Sequence, residues 1–201
     1  MTRDLSPIHP DLRRAWKFLP RFTARRWFLP ILRWMTRLIP SPRTPAEIQV
    51  EQVTIPSQDG KYSIPLRIYK PRSMTAPLPA LLWIHGGGYL FGWLEMDDAS
   101  LCGFVRELGI VIVSVDYRLA PEHPFPIPLD DCYSALKWIR DHAADLGIDP
   151  AHVAVGGASA GGGLAAALTQ LAHDRGEIRP VFQLLVYPML DDRTVLRTVV
   201  S

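Results

Sequence analysis

Two hundred and one residues are enough for one domain with a sizeable buried core, and 48% hydrophobic with 21% charged residues excludes a disordered or fibrous chain. A net charge of +2 carries no footprint for nucleic acid, but it averages two unlike parts. Residues 1–45 hold ten Lys/Arg against two Asp/Glu, a balance of +8, and the remainder hold twelve against eighteen, a balance of −6. The two cysteines, Cys102 and Cys132, supply neither a disulfide framework nor metal-ligand spacing, which favours reduced, buried thiols and a cytoplasmic location.

The leader up to Pro45 reads as short helices broken by Pro20, Pro30 and Pro40. Phe28, Ile31, Leu32, Met35, Leu38 and Ile39 fall near one helical face, with Arg33 and Arg37 elsewhere, so the apolar side is expected inward and the arginines in water. Trp27–Ile39 is too short and too charged to span a bilayer, and no cleavable secretory signal is expected. Strand patterns begin at Ile48: Val50, Val53 and Ile55 make one, Ile64–Tyr69 the next, joined by a turn at Gln58-Asp59-Gly60. The chain then alternates. Strands are predicted at Ala80–Ile84, Ile110–Val115, Val153–Val155 and Val181–Tyr187. Helices are predicted at Asp97–Leu108, with Leu101, Phe104, Val105 and Leu108 inward, from Asp130 to a stop at Gly147, and at Ala160–Arg175 with Gly176 as the stop. Continuous apolar strands separated by helices predict an α/β fold with a mostly parallel sheet covered on both faces.

Two glycine-rich stretches end predicted strands. Gly157-Ala158-Ser159-Ala160-Gly161 matches G-x-S-x-G, a sharp strand-to-helix turn that lifts a serine Oγ above a sheet. No Lys-Ser/Thr pair follows, and no G-x-G-x-x-G with a ribose-binding acid is present, so phosphate-loop and dinucleotide readings are excluded. About seventy residues earlier, His85-Gly86-Gly87-Gly88-Tyr89 offers main-chain N–H groups suited to an oxyanion. The candidate site is therefore Ser159 as nucleophile, with Gly86, Gly87, Gly88 and Ala160 as oxyanion donors. His85 is expected to fix the loop by hydrogen bonding rather than to transfer protons.

Leu82–Tyr89, Asp116–Pro126 (DYRLAPEHPFP) and Gly157–Gly162 together resemble the hormone-sensitive-lipase-like branch of the α/β-hydrolase fold, which includes bacterial carboxylesterases and arylacetamide-deacetylase-like enzymes. The resemblance covers roughly residues 45–190. It implies a cofactor-free, metal-free serine hydrolase of small-molecule carboxylic esters, with the oxyanion donors most naturally Gly87, Gly88 and Ala160. It also implies an N-terminal helical cap (1–45) over an acyl pocket in a catalytic domain (46–201). One departure is Ala158, where the family usually has an acidic residue.

The base is the harder question. In this fold the triad runs Ser, then Asp/Glu, then His. The only histidine after Ser159 is His173; fourteen helical residues at about 1.5 Å each place it roughly 21 Å away. His9, His142 and His152 lie in the wrong places, and His123 reads as structural. Asp191 and Asp192 follow the sixth strand, where some α/β-hydrolases carry their acid. The expectation is an incomplete α/β-hydrolase catalytic domain, C-terminally truncated, with its last two strands and its triad acid and histidine missing. Such a chain would be inactive alone and would expose strand 181–187 to self-association. Two alternatives remain open. One is a non-catalytic small-ligand-binding protein on the same fold, resembling the gibberellin receptor. The other concerns only the leader: weak contact of its Arg- and Trp/Phe-rich helices with a membrane surface.

Overall fold

The computed structural model describes residues 9–11, 13, 28–36, 38 and 43–191. Pro20, Trp27, Arg37, Ile39 and Pro40 of the leader, and Asp192, lie outside the described residues.

Six strands form one sheet in the order β1-β2-β4-β3-β5-β6. Strands β1 (Ile48–Pro56) and β2 (Ser63–Pro71) form an antiparallel hairpin, and β2 continues antiparallel onto β4 (Val111–Val115). From there the sheet is parallel: β4 to β3 (Leu78–Ile84), β3 to β5 (Ile148–Ala158) and β5 to β6 (Gln183–Val186). The helices are α1 (Leu29–Thr36), α2 (Asp98–Leu108), α3 (Ile127–Asp141), α4 (Ala143–Leu146) and α5 (Ala160–Arg175), with a 3₁₀ turn at Leu94–Asp97.

Side chains alternate across each strand, so β3 feeds two cores. Ala80, Leu82 and Ile84 join Val113, Val115 and Val155 under α3 and α5, where Leu136, Ile139, Leu164 and Leu168 are buried. Leu81 and Trp83 point the other way, with Tyr69 and Ile112, against Leu101 and Val105 of α2. Each such fully buried aliphatic side chain contributes about 1.5–3 kcal/mol. Both cysteines are free and buried.

Several boundaries differ from the sequence reading. The strand expected at Val153–Val155 is an eleven-residue β5, because Ile148 pairs with Leu78 before a register shift. That irregularity accommodates Asp149-Pro150, which otherwise reads as a turn. The helix expected from Asp130 starts at Ile127 and ends at Asp141; after His142 a short turn, α4, leads to Gly147. Leu108 is 63% exposed rather than inward, since α2 ends there and Gly109 turns away in the left-handed conformation.

The leader helix corrects an expectation in part: Leu29 is buried and Phe28 and Leu32 are half-buried, but the rest of the described apolar face is not inward. In α1 and just after it, Ile31, Trp34, Met35 and Leu38 are exposed, whereas Arg33 is drawn in against two loops of the body. Main-chain carbonyls there need donors, and that need outweighs the apolar periodicity.

Candidate active site

The register Ile84↔Gly157 between neighbouring parallel strands brings the two glycine motifs side by side at the C-terminal edge of the sheet. Crevices outside the carboxyl ends of parallel strands are where open α/β sheets bind ligands.

The elbow follows from close packing. β5 runs to Ala158 and α5 starts at Ala160, leaving only Ser159 to reverse the chain, at φ 54° and ψ −116°. A non-glycine residue held there stores on the order of 1–3 kcal/mol of strain. Main chain holds it: the Ser159 N–H donates to Val186 O (2.9 Å), and its carbonyl accepts from the N–H groups of Gly163 (3.0 Å) and Met189 (2.9 Å). Gly161 has no room for a side chain, because a Cβ there would overlap the carbonyls of Ile84 and His85. A Cβ on Gly162 would press on Pro188, and one on Gly163 would press on Met189 O and the Tyr89 hydroxyl.

Gly86 lies against this elbow. A Cβ built on it would fall 3.0 Å from Ala158 O and 3.5 Å from Ser159 Cβ. Gly87, at φ 113°, starts a turn whose carbonyl accepts from Leu90 and Phe91 N–H (3.1 Å each), and a side chain there would overlap Phe91 O. Among the described residues the N–H groups of Gly86, Gly87 and Gly88 donate to no main-chain oxygen. The first residue of α5, Ala160, is buried directly beside Ser159.

His85 holds the turn from beneath. Its Nδ1 lies 2.8 Å from the Gly86 carbonyl, an acceptor, which places the proton on Nδ1. The ring is 1% exposed and stacks on Tyr117 with centroids 4.4 Å apart. Burial keeps the Tyr117 hydroxyl protonated, with its pKa well above the ordinary value, and it donates to His85 O at 3.0 Å. His85 Nε2 is 3.8 Å from Asp116 Oδ1, beyond hydrogen-bond reach.

The loop after β4 backs the turn. Arg118 grips fully buried Asp131 of α3 with Nε (2.8 Å), a terminal nitrogen (2.6 Å) and its own N–H (3.0 Å), and this contact raises the guanidinium pKa further. Ala120 N–H then donates to Tyr89 O at 2.9 Å, clipping the two loops together. Between them, an apolar cavity of about 500 Å³ opens beside the elbow helix, lined by Tyr89, Phe125, Leu129, Gly163, Leu164 and Ala167.

No described histidine is hydrogen-bonded to Ser159. His85 faces Gly86 O, His142 Nδ1 faces Trp138 O (3.0 Å), His152 pairs with Asp149 (2.7 Å) and His9 with Asp11 (3.6 Å). His123 packs beside Tyr62, and His173 is exposed on α5. Asp191 is exposed two residues beyond Met189. Sequence reasoning missed Arg33, Tyr89 and Asp131; an arginine off the apolar face of the leader and an aspartate inside a helix carry no local signal of such contacts. Among the described residues no group of three or more His, Cys, Asp or Glu is placed to hold a metal ion.

A mostly parallel sheet flanked by helices, with a strained serine between strand and helix and a glycine turn against it, defines the architecture of an α/β hydrolase. The chain belongs to the α/β hydrolase fold family, which matches residues 81–199. It is 44% identical over 147 residues to carboxylesterase NlhH of Mycobacterium tuberculosis, covering 73% of this chain and 46% of that protein. Over 136 residues it is 40% identical to arylacetamide deacetylase of Bos taurus, covering 64% of this chain and 34% of that protein. Among solved structures, a bacterial heroin esterase superposes with a TM-score of 0.81 at 40% identity, covering 92% of this chain and 59% of the other. A Pyrobaculum calidifontis esterase gives 0.70 at 40% identity, covering 90% and 59%. The chain spans about half the length of most of the curated relatives it matches. No helix among the described residues is long and apolar enough to cross a membrane.

Proposed function

We propose that the whole protein hydrolyses carboxylic esters of small molecules through an acyl-enzyme on Ser159. The observation that carries this reading is the seating of Gly86 against strained Ser159, so close that a Cβ built on the glycine would fall 3.5 Å from the serine Cβ. The serine oxygen adds to the ester carbonyl. The developing oxyanion is met by N–H groups of Gly87 and Gly88, with Gly86 behind them, and by that of Ala160 at the start of α5, where the helix dipole adds to the field. One such donor is typically worth about 2.7–4 kcal/mol in the transition state. The cavity beside Tyr89 and Leu164 suits an acyl or alkoxy group of a few carbons. Names such as carboxylesterase and arylesterase among the relatives support the substrate class. Deprotonating Ser159 needs a base, which no described histidine supplies, so the activity proposed is that of the whole protein. In this reading residues 1–45 form a cap on a catalytic body, 46–201.

Hydrolysis of p-nitrophenyl butyrate by the whole protein should vanish in Ser159→Ala; an unchanged rate in that variant refutes the assignment. Self-association is a second proposal, supported by the position of β6 at the sheet edge beside exposed Val181, Phe182 and Tyr187. The chain should elute as dimers or larger species at micromolar concentration, and a sharp monomer peak would rule this out. Contact of the leader with anionic membranes is supported by its balance of +8 and by the exposed face of Ile31, Trp34 and Met35. Vesicle binding that weakens with salt is the expected result.

A further inference from the structure

Arg33 is one side chain of the leader that reaches two loops at once. Its Nε donates to Leu90 O at 2.8 Å, one terminal nitrogen to Ala120 O at 2.6 Å and the other to Glu122 Oε2 at 3.0 Å. Leu90 belongs to the turn that Gly87 opens, since its N–H donates to Gly87 O. Ala120 belongs to the loop anchored by Arg118 and Asp131. Without Arg33, the main-chain link between these two loops among the described residues is the single bond from Ala120 N–H to Tyr89 O. The planar guanidinium fork holds both carbonyls at fixed spacing, which a lysine ammonium on a flexible stem does not do.

We propose that Arg33 is a positioning residue, coupling the docking of α1 to the geometry of the glycine turn that faces Ser159. The turn holds Gly87 at φ 113°, Gly88 at 62° and Tyr89 at 62°, three successive left-handed values that a loose loop would not maintain. With Arg33 seated, the N–H groups of Gly87 and Gly88 are fixed before any substrate arrives. When α1 leaves, the Leu90 and Ala120 carbonyls turn to water and the donors lose their common aim. The leader thereby gates the electrostatics of the site without touching a reacting atom. The functional meaning rests on the ester-hydrolase reading, but the coupling itself does not.

Two measurements on the whole protein separate them. In hydrogen–deuterium exchange, Arg33→Met should speed the amides of residues 86–92 and 118–122 by roughly tenfold, as expected for losing one or two such bonds, while β3 and β5 stay protected. Arg33→Lys should loosen at least one of the two segments by several-fold, and it is the variant to use if Arg33→Met fails to fold. Trp34→Ala, a change on the exposed face of the same helix, should leave both segments as they are. Unchanged exchange at 86–92 in the Arg33 variants overturns the proposal, and so does an equal rise in Trp34→Ala. The second measurement is saturable labelling of Ser159 by a p-nitrophenyl alkylphosphonate, checked against Ser159→Ala. Arg33→Met should lower the limiting rate about tenfold and leave the half-saturating concentration within twofold, since oxyanion donors act chiefly in the transition state. A change in half-saturation alone overturns the positioning role. Absence of labelling at Ser159 in the unaltered whole protein would count against the ester-hydrolase reading, with exchange still deciding the coupling.

Discussion

The elbow around Ser159 is held by main chain, whereas the turn His85–Gly92 is held mainly by side chains, its own His85 ring and groups from other segments, with one main-chain bond from Ala120 N–H to Tyr89 O. At the elbow, β5, α5 and the end of β3 approach so closely that Gly157 and Gly161 admit no Cβ, and the segment after β6 closes on Gly162 and Gly163. At the turn, the holding groups are the His85 ring beneath, the Tyr117 hydroxyl beside it, and Arg33 with the loop that Arg118 ties to Asp131. Main-chain contact of this kind cannot relax without moving the sheet. Side-chain contacts release one at a time. The position of Ser159 is therefore part of the fold, while that of the proposed oxyanion donors depends on whether their tethers are seated.

The sharpest way to break the comparison is at the tether of greatest burial. Asp131→Ala leaves the Arg118 guanidinium, 10% exposed, without its partner. It should cost about 3–5 kcal/mol in denaturant unfolding. A loss below 1 kcal/mol would mean that the loop after β4 stands without its ion pair. At the elbow, Gly161→Ala drives a methyl into the Ile84 and His85 carbonyls and should cost roughly 3 kcal/mol. A tolerated alanine would show that main-chain packing there has slack.

The smaller effects sharpen the contrast. Ser159→Gly relieves the backbone at φ 54° and should raise stability by about 1 kcal/mol or more. A thermal midpoint unchanged from the parent would deny that strain is stored at the elbow. Gly88→Ala meets no atom within 4 Å but must hold φ 62°. It should cost only about 1 kcal/mol, well below the Gly161 change, as read from the same unfolding curves.

Much of this was legible in local pattern. The β-branched run before Asp116, the stop at Gly176 and the strand-turn-helix context of Ser159 follow from rules that act over a few residues, and the structure bears them out, while Gly147 caps the short α4 rather than the helix expected from Asp130. Misreadings came where a distant partner overrules a neighbour. Asp149-Pro150 joins a strand because β3 offers it an irregular register. Leu108 is exposed because α2 ends there and Gly109 turns the chain away. Arg33 turns inward rather than to water because two loop carbonyls, fifty-seven and eighty-seven residues away in sequence, accept from it.

By itself, the sequence determined the class of fold and the two glycine motifs, since strand periodicity, helix stops and tight turns are encoded in adjacent residues. Only the tertiary structure decided that the motifs meet: β3 and β5 are neighbours in the sheet though separated in the chain by β4 and α3. It also decided what holds the turn in place. Such tethers are single hydrogen bonds between segments far apart in the chain, and no local pattern announces which carbonyl an arginine will find.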